Sequence, residues 1–178
     1  MMSEQIEEQI ESSETIVRFV YSPFHVKKDK LKREAFQPAK MRKDVSVQRL
    51  RYCDESTCRR IGMTQQRHSE PIKIWMGMAG FKASLIITKT QNSEPIQLIA
   101  SPMDDAGNYH PKGTIVFADD SGLPAHADIF YNYVPTEGEP LPIEIKQYAQ
   151  YLAEQAHFFR DPNPLAGKWE GKPIELDK

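Results

Sequence analysis

Cysteine, glycine and long apolar runs are scarce in this chain, and each scarcity removes a class of function. Only two cysteines occur, Cys53 and Cys58, and with no further cysteine and no clustered histidine they make poor zinc spacing. In a reducing cytosol they read as two ordinary thiols near a helix start rather than as a disulfide. No window approaches the roughly 18 consecutive apolar residues of a membrane span. The N-terminus is acidic, without the cationic and apolar regions of a signal peptide, so a soluble, cytoplasmic protein is expected. Nine glycines against thirteen prolines favour extended, rigid connections over long uninterrupted helices. Gly77 and Gly80 flank Met78-Ala79 in a way that suggests a bulge or a tight bend rather than a phosphate loop. A Gly-x-Ser-x-Gly nucleophile motif and an RNA-recognition signature of the Arg-Gly-Phe type are both absent. No cofactor is expected.

Charge is what the chain does have, and it is sorted. Residues 1–14 carry five Glu and no base, residues 18–67 hold 14 Lys/Arg against 5 Asp/Glu, and residues 68–178 hold 9 against 15. A total of −2 therefore hides segments of −5, +9 and −6. Beyond Arg18, the cations of the middle block are Lys27, Lys28, Lys30, Lys32 and Arg33, then Lys40, Arg42 and Lys43, then Arg49 and Arg51, then Arg59, Arg60 and Arg67. Phe24, Phe36 and Tyr52 lie among them. Charges for phosphates and rings for stacking are what a nucleic acid surface needs. An acidic protein surface needs only the charges. A solvated face that serves nothing but solubility is the third reading. The sequence reading places a protein partner first, with Lys27, Lys28, Lys30, Lys32, Arg33, Lys40, Arg42, Lys43, Arg59 and Arg60 as its contacts, and nucleic acid as the alternative.

The local patterns describe an α+β domain with a mostly antiparallel sheet of six or seven short strands. Thr15–Tyr21, Asp44–Leu50, Ile72–Met76, Phe81–Thr90, Ile96–Ala100, Thr114–Phe117 and Ala127–Tyr133 read as strands by their β-branched and aromatic content. A short helix is expected from a cap at Asp54 or Ser56 to Ile61, stopped by Gly62. A longer amphipathic helix over 143–159 carries Ile145, Ala149, Leu152, Ala156 and Phe159 on one face. Residues 1–14 read as a flexible leader outside the core, because two Ile cannot offset an ordering cost of about 1–2 kcal/mol per residue. The domain proper then covers 15–164, and 165–178 forms a surface tail anchored by Trp169.

His126 is the most suggestive position for chemistry. In Gly122-Leu-Pro-Ala-His-Ala-Asp128 it stands two residues from a carboxylate, and in extended chain both project to one face. Such a pair can orient a general base or bind a metal with help from elsewhere, and equally can pin the start of a strand. His110 could join His126 with Asp119 or Asp120, but at no recognised metal spacing. No catalytic residue is assigned; His126, Asp128 and His110 are the candidates, and no metal is expected.

Arg33-Glu-Ala-Phe-Gln-Pro38, Asp44-Val-Ser-Val-Gln-Arg49, the stretch Ala83–Thr88 and Leu123-Pro-Ala-His-Ala-Asp128 follow one another in an order that resembles a group of small bacterial proteins. Those carry an Ala-Phe-x-Pro element, a Leu/Val-Ser-Val strand and a late Pro-Ala-His element. The resemblance spans residues 18–130 and brings no catalytic residue with it. It implies only a bacterial or phage-like, cytoplasmic setting, of the phage-defence type; the absence of catalytic motifs, the small size, the sorted charge and a tail at each end point to a non-catalytic accessory protein of a multi-component system. The competing reading is a small hydrolase or transferase centred on His126.

Overall fold

The segment Thr-Ile-Val-Arg-Phe-Val-Tyr-Ser turns Ile16 and Val20 to one side and Val17, Phe19 and Tyr21 to the other, and all five are buried. A strand that is apolar on both faces belongs in the middle of a covered sheet. The computed structural model describes residues 6–66, 71–90, 95–104 and 122–176 and puts it there. In chain order the strands are Thr15–Ser22 (β1), Val26–Lys27 (β2), Lys30–Leu31 (β3), Asp44–Arg49 (β4), Ile74–Lys82 (β5), Ile96–Ala100 (β6), His126–Tyr131 (β7) and His157–Arg160 (β8). The helices are Glu55–Gln66 (α1), Ser84–Thr90 (α2) and Ile143–Gln155 (α3), with a 3-10 turn at Arg33–Ala35. Six strands form one sheet in the order β6-β7-β4-β1-β5-β8, antiparallel at every pairing, while β2 and β3 form a separate hairpin. The expected α+β architecture is the observed one.

One face of the sheet packs against α3, α2 and the 3-10 turn. Ile145, Ala149 and Leu152 meet Ile16, Val20, Val45, Val47 and Phe36 there. The carbonyls that end the 3-10 turn are held from the sheet: Arg18 Nε donates to Ala35 O at 2.8 Å, and the Tyr131 hydroxyl donates to Phe36 O at 2.8 Å. The Ala-Phe element is thus an anchor for the turn. On the other face α1 brings Cys58 against Val17, Tyr21, Trp75 and Met78, and Ile174 joins them.

Several boundaries differ from the sequence reading, each for a physical reason. The leader is not outside the core: Ile6 and Ile10 are 1% and 7% exposed. What holds it is Arg49, which is wholly buried. Its Nε and Nη2 donate to the Glu14 carboxylate at 2.8 Å each, Nη1 donates to Glu7 O at 2.6 Å, and Nη2 also reaches Gln9 O. The guanidinium stacks 4.7 Å from the centre of the Tyr52 ring, whose hydroxyl accepts from Glu7 N–H.

The docked leader also explains why Phe81–Thr90 is not one strand. Ala83 N–H donates to Glu14 O and Ser84 N–H to Ser12 O, so leader carbonyls take the first donors of α2 and let a helix begin where β5 ends. Ala83 and Ile86 then reach the core at helical spacing, against the β preference of Ile-Ile-Thr.

Gly62 does not stop the first helix. α1 continues to Gln66, and Gly62 lies under the Trp75 ring, where any Cβ would collide with it. Of the two proposed caps, Asp54 is the one used, accepting from Thr57 N–H at 2.7 Å. Ser56 and Glu55 instead hold the C-terminal segment, accepting from the amides of Trp169 and Ile174. With Ile174 only 4% exposed, residues 165–176 do more than lie on the surface.

The bulge expected near Gly77 is present. The β1–β5 register shifts between Val20 and Tyr21, opposite Gly77 at φ +143°. β5 continues beyond Met76 through Met78-Ala79 to Lys82. The last helix ends at Gln155 rather than 159, and Phe158 and Phe159 pair with β5 as strand β8. The glycines permit it: a Cβ on Gly77 would meet the Phe159 carbonyl, and the Phe159 ring covers Gly80. Thr114–Phe117 lies outside the described residues.

Two outcomes test this packing. Burial alone would raise the Glu14 carboxyl, but the Arg49 hydrogen bond, the Glu11 amide and the charges of Arg49 and Arg51 outweigh it and hold it below its ordinary 4.5. A lowered carboxyl contributes stability that is complete above that value and is lost as pH falls through the lowered one. Glu14→Gln leaves Arg49 buried without its counter-charge and is expected to cost roughly 3–5 kcal/mol at neutral pH. Calorimetry should show that deficit shrinking in acid; a deficit unchanged down to the acid limit would remove the ion pair from the account. Leu152→Ala, at a site 2% exposed, is expected to cost about 2–5 kcal/mol in denaturant unfolding.

Candidate functional site

Two places gather polar side chains that the core does not need. The first is the sequence candidate His126, at the start of β7. It is 4% exposed, and its Nδ1 lies 3.0 Å from Ser101 O and 2.9 Å from Ser101 Oγ. A carbonyl only accepts, so Nδ1 carries the proton. Ser101 Oγ in turn donates to Asp128 Oδ2 at 2.6 Å. His126 Nε2 stands 4.0 Å from Asp128 Oδ1, beyond hydrogen-bond reach.

Serine, histidine and aspartate therefore meet, but with their roles displaced. A serine nucleophile gives its proton to the imidazole, whereas here the hydroxyl proton faces the carboxylate and the imidazole donates to the serine. The geometry orients Asp128 and ties the end of β6 to the start of β7. Burial raises the Asp128 carboxyl, partly offset by His126 and the Ser101 hydrogen bond. Ser101 was missed in the sequence because it precedes His126 by 25 positions, and only the pairing of β6 with β7 joins them. His110, Asp119 and Asp120 lie outside the described residues. Among the described residues no three His, Cys, Asp or Glu side chains converge as a metal set would.

The second place is the β2–β3 hairpin. Val26 and Leu31 pair with each other and face inward at 6% and 8% exposure, so the adjacent cross-strand pair Lys27 and Lys30 faces out. Lys28 and Asp29 form the turn with φ +48° and +60°, the left-handed pair that a two-residue hairpin turn requires. Neither is glycine, so the turn costs free energy that its surroundings must hold. One support is visible: the Asp29 carboxylate is paired with the Arg160 guanidinium of β8. Below, Lys32 N–H donates to His25 O, and His25 Nδ1 accepts from Tyr21 N–H. Burial, with the charges of Arg18, Lys73 and Lys32, pushes the His25 imidazole down to about 3, so it stays neutral as a structural acceptor.

Lys27, Lys28, Lys30, Lys32 and Arg33 line one groove of about 550 Å³ with Leu31, Glu34 and Gln150. The remaining cations of the basic block do not join them. Lys40 borders a separate groove with Met41, Tyr133 and Pro135, Arg42 pairs with Asp44 at 2.9 Å, and Lys43 is exposed nearby. Arg59 was expected at a binding surface and is instead buried, its Nε 2.7 Å from Asp161 Oδ2. Arg60 sits on α1, which covers the opposite face of the sheet from the 3-10 turn.

No protein-family model matches this chain, and neither a curated protein nor a solved structure matches it. Among the described residues no helix is long and apolar enough to cross a membrane.

Because burial raises the Asp128 carboxyl, its ionisation opposes folding, and that part of the stability is lost as pH rises through the raised value. Asp128→Asn keeps an acceptor for Ser101 and removes the buried charge. The variant is expected to melt at or above the wild-type temperature at pH 7, with the difference vanishing toward pH 4. A clear loss of stability at pH 7 would show that the charge itself holds the strands.

Proposed function

We propose that this chain is a non-catalytic accessory protein that docks an acidic surface of a protein partner into the groove of the β2–β3 hairpin. The observation that carries the reading is the composition of that groove: five cations against the single acid Glu34. A pinned turn presents them, so little backbone freedom remains to be lost on binding. The displaced roles of Ser101, His126 and Asp128 support a binding protein over a hydrolase or transferase. A bacterial, cytoplasmic setting within a multi-component system belongs to the same proposal and rests on the resemblance alone.

A protein partner is favoured over nucleic acid by where the rings went. Phe36 is fully buried, and Tyr52 is engaged by Arg49 and Glu7. Phe24, at 36% exposure, is the one ring of the three with an open face. A stacking surface needs several exposed rings beside its cations.

The test reverses Lys27, Lys28, Lys30 and Lys32 to Glu in the full chain. Among the described residues these side chains make no buried ion pair, so the melting temperature should stay close to that of wild type. Affinity capture from native lysate at low salt should return an acidic protein with the wild type and not with the variant, and the association should weaken as salt rises. Capture that survives the reversal would overturn the reading. Material absorbing as nucleic acid and lost with the same variant would replace it with the nucleic-acid alternative.

A further inference from the structure

We propose that the β4–β7–β6 half of the sheet holds a second site, for a hard divalent cation of the magnesium or manganese kind, bound between Asp128 Oδ1 and Gln48 Oε1. Both oxygens are buried, and among the described residues neither has a hydrogen-bond partner. Gln48 is 2% exposed, and the Asp128 side chain 13%. Buried acceptors left without donors are uncommon and costly, and a missing ion is one explanation for them.

The register brings the two together. Gln48 stands opposite His126 in the β4–β7 ladder, and Asp128 is two residues further along the same face. Diagonal neighbours of this kind are within reach of a long side chain. Ser101 fixes the carboxylate by holding Oδ2 at 2.6 Å, which leaves Oδ1 outside that bond, 4.0 Å from His126 Nε2. Asp44, on the same face of β4, adds negative charge near Asp128, and its own partner Arg42 is engaged with it. The row that contains Asp128 has Ser46 on one side and Ile99 on the other, both exposed, so an ion has a way in.

The chemistry selects the occupant. A water molecule could donate to both oxygens, but would add no charge to a carboxylate whose burial His126 and Arg42 offset only in part. A cation answers both needs at once. One carboxylate and one amide carbonyl are hard oxygen donors, suited to magnesium, manganese or calcium rather than to zinc or copper. Magnesium-class ions are commonly held by one or two carboxylates with water completing the shell, so two protein oxygens suffice.

Titration of the full chain with manganese(II), followed by amide NMR, tests the site without reference to the cationic groove or to any activity. Substoichiometric manganese should broaden the amides of Gln48, Ser101 and Asp128 first, and excess magnesium should restore them. Asp128→Asn, which keeps the Ser101 hydrogen bond, should weaken binding by roughly tenfold or more, and Gln48→Leu should weaken it in the same direction. Manganese should also raise the melting temperature of the wild type and not of Asp128→Asn. Broadening centred elsewhere, broadening unchanged in Asp128→Asn, or none at millimolar manganese would each overturn the proposal.

Discussion

The bidentate pair between Arg49 and Glu14 is the contact on which most of this architecture turns. A guanidinium can be buried when its donors are met, and here they are met by one carboxylate and the Glu7 and Gln9 carbonyls. Those acceptors belong to a polar segment with little apolar surface of its own. Docked, it buries Ile6 and Ile10, passes Ser12 and Glu14 carbonyls to the first turn of α2, and so decides where β5 ends. A second buried pair does the same work at the other end of the chain. Asp161 accepts from Arg59 at 2.7 Å and from the Trp75 indole at 2.8 Å, which ties the segment after β8 to α1 and β5. Two arginines of the basic block are thus interior residues, and the net charge of that block overstates what it offers to a partner.

The parts of the fold that were legible in the sequence are those decided by side-chain periodicity. β1, β4, β6 and β7 alternate or are continuously apolar, and their observed limits fall close to the expected ones. The parts that were not legible are decided by contacts between distant segments. Nothing within Ser84–Thr90 specifies a helix; the specification comes from leader carbonyls about 70 positions away. Phe158 and Phe159 continue the helical spacing of α3, yet they meet the glycines of β5 instead, because a strand can approach closely there. Gly62 has the look of a helix stop and is a packing residue.

The candidate sites divide in the same way. That His126 and Asp128 share a face was readable from their spacing, and that the five cations of residues 27–33 lie together was readable from their density. Ser101 and Gln48 could not be found that way, since each is brought to Asp128 only by strand pairing. The separation of Arg59 and Arg60 from the hairpin was equally hidden. Charge counted along a chain says nothing of which side of a sheet it reaches.

The environment of the two tryptophans bears on how this molecule can be observed. Trp75 is 2% exposed with its indole on Asp161, and Trp169 is held through its amide by Ser56 and through its indole by Lys172 O. Both rings therefore sit along the seam where the C-terminal segment meets α1. Intrinsic fluorescence is a local gauge in this protein. It registers release of the C-terminal segment directly, whereas the leader and the hairpin carry no tryptophan of their own. A fluorescent reporter for either of those must be introduced within it.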